Sequence, residues 1–184
     1  MTGSRTEEVP DMAVTLVLTV IGPDRPGLVD ALSSAVAGHG ANWLESRMAH
    51  LGGHFAGLLR VSVPDARAQE LRRALAALER EGLRVLVEAG DTREPDPNDR
   101  ALALDLVGLD RPGIIREVSR ALAQRGVNVE ELDTSCESAP MSGETLFRAR
   151  ARLRAPAGTP VEELRATLEK IAGELMVDLS LDEA

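Results

Sequence analysis

A chain of 184 residues has room for one domain, or for two small ones of about 80–90 residues each. Thirty acidic side chains against 21 basic ones leave a net charge of −9, which disfavours bare nucleic acid and anionic membrane as direct partners. The lone cysteine, Cys136, excludes an internal disulfide and a multi-cysteine zinc site.

Residues 1–12, opening with "MTGSRTEEVPD", read as a polar tail without a signal-peptide core. No apolar run in the chain approaches the roughly 20 residues that span a bilayer. A cytoplasmic setting is expected. A β-prone apolar run follows at residues 14–21, and then "GPDRPG" at residues 22–27. Leu28, Val29, Leu32, Ala35 and Val36 make a 3.6-period stripe, predicting a helix that stops at Gly40. A second strand is predicted over residues 41–51, beginning "GAN", and "LGGH" signals a hairpin turn into a third strand ending at Pro64. Leu71, Ala74, Leu75 and Leu78 mark a second helix, and residues 83–87 a last short strand.

Residues 90–100, "GDTREPDPNDR", carry proline and aspartate but no apolar period, and are assigned as a linker. The pattern then repeats. A strand over residues 101–107 meets "GLDRPG" at residues 108–113, a spacing of 86 from the first copy. Ile114, Ile115, Val118, Ala121 and Leu122 repeat the helical stripe, and Gly126 ends it. A strand over residues 127–136 begins "GVN"; the turn "ESAPMSG" is longer than its counterpart. A strand to Pro156, a helix with Leu164, Thr167, Leu168 and Ile171, and a strand over residues 176–181 complete the copy.

The order β-α-β-β-α-β, twice, predicts an α+β chain: two ferredoxin-like (βαββαβ) sandwiches in tandem, each with both helices on one sheet face. The boundaries are a tail at 1–12, a first domain at 13–89, the linker at 90–100 and a second domain at 101–184.

The DRPG loop should start its helix close to Pro26 or Pro112, because proline suits a first helical turn. The glycine behind it lets a ligand approach the backbone, and free N–H groups at the positive end of the helix dipole attract a carboxylate or phosphate. Asp24 and Asp110 either cap the helix or receive an ammonium group. Carboxylate and ammonium together describe an amino acid. The Asn opening the second strand of each copy, Asn42 or Asn128, is expected to turn its amide toward the same loop.

Strand, "DRPGLV" or "DRPGII", helix, "GAN" or "GVN", then β-β-α-β resembles the ACT domain, a small-molecule regulatory module. Two such units resemble the glycine cleavage system transcriptional repressor group, most closely over "DRPGLVDALSSAVAGHGANWLESRMAHLGGHFAGLLRVSVP". "DRPG" also opens ACT units attached to formyltetrahydrofolate deformylases. The resemblance implies amino-acid binding at interfaces between units, by Gly22, Asp24, Arg25, Gly27, Leu28 and Asn42, and by Gly108, Asp110, Arg111, Gly113, Ile114 and Asn128. It implies glycine or a similarly small ligand. Trp43 faces Val129 and Pro23 faces Leu109 between copies, so the two loops are expected to differ in affinity.

His50 and His54 bracket the hairpin turn and, with His39, read as surface histidines, not as a helical metal pair. Arg148, Arg150, Arg152 and Arg154 alternate with Phe147, Ala149, Ala151 and Leu153, which puts four guanidinium groups on one strand face. With three aromatics in the chain, stacking platforms for single strands are lacking. Cross-strand pairing with Glu130, Glu131 and Asp133, or protein docking, is the reading of that face. No triad, P-loop or metal cluster is legible, so no enzymatic activity, cofactor or metal is expected.

The function expected is amino-acid sensing, relayed to a protein partner such as a DNA-binding regulator, since an acidic chain without a helix-turn-helix signal should not touch DNA itself. A regulatory subunit of an amino-acid or one-carbon enzyme, or a structural dimerisation module with no ligand, are the alternatives. Exposed sheet edges predict edge-to-edge pairing and a homo-oligomer.

Overall fold

A computed structural model describes residues 12–90, 96–138 and 143–184. The expected N-terminal tail, apart from Met12, lies outside the described residues, as do residues 91–95 of the linker and 139–142 of the longer turn. The chain divides into two compact units, Met1–Arg93 and Glu94–Ala184.

The first unit runs β1 (Ala13–Pro23), α1 (Leu28–Gly38), β2 (Asn42–Leu51), β3 (His54–Pro64), α2 (Asp65–Ala77) and β4 (Arg84–Ala89), with a 3-10 turn at Leu78–Glu81 extending α2. The second runs β5 (Arg100–Leu109), α3 (Ile114–Ala123), β6 (Asn128–Ser138), β7 (Thr145–Ala155), α4 (Val161–Leu175) and β8 (Val177–Glu183). Strand order is β2-β3-β1-β4 in one sheet and β6-β7-β5-β8 in the other. All neighbouring pairs are antiparallel. Strands joined by a helix therefore run parallel, with one strand between them. The fold is α+β and ferredoxin-like, twice over.

Period-two alternation builds each core. Leu16, Leu18 and Val20 of β1 are buried, and so are Leu59, Val61 and Val63 of β3. Leu28, Leu32 and Val36 of α1 and Leu71 and Leu75 of α2 pack on that face. Leu32 is wholly enclosed, a burial worth about 1.5–3 kcal/mol. Leu102, Leu104 and Leu106 meet Ile114, Val118, Leu122, Leu164 and Leu168 in the same way. One member of the predicted stripe departs from it. Val29 is about half exposed, whereas its counterpart Ile115 packs against the core.

The turns follow the glycines. Gly52 and Gly53, at φ 58° and 77°, make a two-residue loop between β2 and β3 whose positive dihedrals match the strand twist. Gly40 and Gly126, both at φ 67°, reverse the chain after α1 and α3. Ala41 and Val127 then donate back to the carbonyls of Val36 and Leu122, each at 3.1 Å, which satisfies helix-end acceptors.

Candidate functional site

The two DRPG loops have the same construction. Each helix begins one residue after the motif's last glycine, not at the proline: Gly27 caps α1 at φ 94° and Gly113 caps α3 at φ 102°. No side chain caps either helix, so the capping role considered for Asp24 and Asp110 is not the one they play. A Cβ placed on Gly27 or Gly113 would meet nothing within 4 Å. An uncapped helix N-terminus behind an open left-handed glycine can receive an anion on its backbone N–H groups.

The aspartates lie toward the hairpin side. The Asp24 N–H donates to the Gly53 carbonyl at 3.0 Å, and the Asp110 N–H to the Thr145 carbonyl at 2.8 Å. Asp24 Oδ2 is 3.7 Å from Nε2 of His50 on β2, with both side chains about half exposed. His50 was legible only as a turn histidine, because the contact joins residues 26 apart by way of a helix. At the spacing of 86 its counterpart is Cys136, so the two loops face different side chains.

The arginines point elsewhere. Arg25 donates to the Glu81 carbonyl at the end of the 3-10 turn. Arg111 donates through Nη2 to the Glu174 carbonyl in the last turn of α4, at 3.0 Å. Gly22 is buried, and Leu28 and Ile114 belong to the cores. Gly22, Asp24, Arg25 and Gly27 thus converge at one end of the first sheet, as Gly108, Asp110, Arg111 and Gly113 do in the second.

The asparagines lie at the other end, contrary to the expected turn of the amide toward the same loop. Asn42 is level with Ser62, which is level with Thr15. Gly22 is seven residues further along β1, about 23 Å away at 3.3 Å per residue. Asn128, Arg154 and Ala101 are level in the same way, and Gly108 is again seven residues on. The reason is the helix: α1 travels back along the sheet before β2 begins. Within one unit the loop and the asparagine cannot hold one small ligand.

On β7 the four arginines stand on the sheet face away from the helices, and acids occupy their partners' places. Arg154 Nε is 2.5 Å and Arg152 Nε 3.7 Å from the two oxygens of Glu130, and Arg152 Nη2 is 2.9 Å from Glu131. Glu130 raises the Arg154 guanidinium further above its ordinary value, mainly through the hydrogen bond. Arg150 pairs with Asp105 of β5 at 3.1 Å, while Asp133 stands opposite it in register. Arg148 reaches Glu137 at 3.8 Å.

Among the described residues no helix is long and apolar enough to cross a membrane. No group of three or more His, Cys, Asp or Glu among them is placed to hold a metal ion.

Two ferredoxin-like units in tandem, each with a DRPG loop at a helix N-terminus, define a class of duplicated α+β modules, and ACT domain models match residues 14–88 and 103–172. The chain belongs to the ACT domain family, with two copies in tandem. A crystal structure of an unknown protein from Galdieria sulphuraria is similar over 94% of this chain and 99% of its own, at 32% identity and a TM-score of 0.85. A crystal structure with a provisional assignment as a glycine cleavage system transcriptional repressor covers 93% of this chain and 97% of its own, with 21% identity and a TM-score of 0.66. That likeness is one of fold. Phosphoserine phosphatase SerB2 of Mycobacterium tuberculosis is 29% identical over 180 residues, 92% of this chain. This chain spans 41% of that enzyme's length. Membership of the ACT family supports a regulatory, amino-acid-sensing role.

Proposed function

We propose that this protein is a non-catalytic sensor that binds a small amino acid at its DRPG loops and relays occupancy to a protein partner. The observation that carries the reading is the duplicated loop, in which an uncapped helix N-terminus sits behind an open glycine, beside an aspartate. The N–H groups suit the ligand carboxylate and the aspartate its ammonium group. Asn42 and Asn128 join the site only from another unit. β2 and β6 are edge strands, and antiparallel pairing with such an edge of a second copy would bring that copy's asparagine to the loop end. Asp24 already leans toward this edge through Gly53 and His50.

Glycine or a similarly small amino acid is the ligand class, and a DNA-binding regulator in the cytoplasm the partner, on the likeness to the repressor fold. The similarity to a phosphoserine phosphatase favours a second reading, a regulatory part of an amino-acid metabolic enzyme. A pull-down with the full chain separates them: a DNA-binding regulator supports the first, an enzyme the second.

Calorimetric titration with glycine, serine and the other amino acids tests the binding step. Asn42→Ala or Asn128→Ala should leave folding nearly unchanged, since both residues are exposed. Each should weaken binding about 10- to 150-fold, the equivalent of a lost hydrogen bond to a charged group at about 1.5–3 kcal/mol. Absence of heat with every amino acid at millimolar concentration overturns the reading and leaves a structural module.

A further inference from the structure

The arginine of each DRPG motif is the one conspicuous motif residue that ligand chemistry does not absorb. Arg25 reaches across the unit to the carbonyl of Glu81, and Arg111 to that of Glu174. The acceptors are similarly placed, within two residues of the left-handed turn that ends the unit's second helical stretch, where the backbone carbonyls form the negative end of the dipole. The Nε atom of Arg111 is buried without a hydrogen-bond partner. Its stem is therefore sunk into the protein rather than extended toward a ligand.

A second contact between the same two places does not involve the arginine. A Cβ on Gly22 would come within 2.6 Å of the Gly82 carbonyl oxygen, and one on Gly108 within 2.4 Å of Val177 Cγ1. The strand end that leads into each loop thus fits closely against the turn after the second helix. That turn is left-handed in both units, at Gly82 (φ 82°) and at Met176 (φ 51°). Met176 has a side chain, so its conformation is strained. Arg111 holds the carbonyl two residues before it, and Gly108 packs on the residue after it.

We infer that Arg25 and Arg111 are positioning residues: each fastens the DRPG loop to the C-terminal turn of its second helix, so that the two move as one body. This rests on the reading of the loop as the ligand site and adds the element to which occupancy is transmitted. A mechanical link of this kind needs a demonstrated coupling, beyond adjacency in space.

Amide hydrogen exchange supplies it without any ligand. Ala31 donates to Gly27 at the loop, and Leu83 donates to Leu78 at the turn. Glu117, donating to Gly113, and Met176, donating to Gly173, report on the same two places in the second unit. In Arg25→Gln the exchange of Ala31 and Leu83 should rise together, about tenfold or more, while Glu117 and Met176 stay unchanged. Arg111→Gln should show the converse. Arg25→Lys and Arg111→Lys should recover part of the protection, because an ammonium group can still donate to one carbonyl. Acceleration at Leu83 alone overturns the inference and makes Arg25 a helix-end cap. No change at either amide, or a uniform rise across the unit, overturns it as well.

Titration with glycine and serine separates this inference from the reading beneath it. If wild type binds either, Arg25→Gln should weaken binding at the first loop in step with the exchange change. Weakened binding with unaltered exchange would make the arginine a direct ligand contact and overturn the inference. If wild type binds no amino acid, the sensing reading falls, and the exchange result still decides whether loop and turn are joined.

Discussion

Gly22 and Gly27 stand five residues apart and are required for different reasons. Gly22 is buried, and an added Cβ would collide with the Gly82 carbonyl oxygen and touch Leu83. Gly27 has open space around it but adopts φ 94°. Gly22→Ala should therefore cost about 1–3 kcal/mol by overpacking, and Gly27→Ala about 1–2 kcal/mol by left-handed strain. Asparagine tells the two apart. It tolerates left-handed backbone, so Gly27→Asn should recover stability relative to Gly27→Ala, while Gly22→Asn should fare worse than Gly22→Ala. Urea denaturation of the four variants checks this, and equal costs for the two asparagine variants would refute the assignment. The need for glycine at both positions was legible in the duplicated motif. Which constraint acts at which glycine was not, because Gly82 is sixty residues distant in sequence from Gly22.

The strands of the second unit show where periodicity informs and where it stops. Period two on β7 places Arg148, Arg150, Arg152 and Arg154 on one face, and the acids of β6 announce Glu130 and Glu131 as partners. Asp105 could not be anticipated from the same pattern, because it comes from β5, on the other side of β7, and that register is set by the whole sheet. The helices have the same lesson: both stripes were evident, but the return travel of α1 and α3, which separates Asn42 and Asn128 from the loops, is a property of the crossover. Within the ladder, burial decides the energetics. Arg154 is 27% exposed and hydrogen-bonded to Glu130, whereas Arg150 is 75% exposed. Arg154→Ala should cost more stability than Arg150→Ala, because it removes a hydrogen bond between charged groups that are more shielded from water. Arg150→Ala should cost about 0–1 kcal/mol, and that cost should vanish in 1 M salt, where the screening length is about 3 Å. Denaturation at low and high salt tests both; equal costs at both positions would show that burial does not rank the ladder.

At the scale of the whole molecule, the proposed sharing of one ligand by a loop and a distant asparagine would tie binding to assembly. Each sheet ends in edge strands, β2 and β4 or β6 and β8, and an edge strand offers backbone groups to another strand. β2 and β6 also expose apolar side chains, Leu44, Leu51, Val129 and Leu132, which favours covering them. A site that takes its loop from one copy and its asparagine from another exists only in the assembled state, so ligand must drive assembly by mass action. At a ligand concentration one hundred times the dissociation constant, that linkage is worth about 2.7 kcal/mol for each site formed, close to a hundredfold in the association constant. Sedimentation velocity over a range of protein concentrations, with and without saturating glycine or serine, should show self-association that ligand strengthens. Leu44→Lys and Leu132→Lys should weaken both the association and the ligand's effect on it, because a charged side chain on an edge opposes pairing. Association that proceeds equally well with and without a bound amino acid would leave a second copy's asparagine out of the ligand site. A monomer at every concentration, binding ligand with full affinity, would remove the edges from the mechanism altogether.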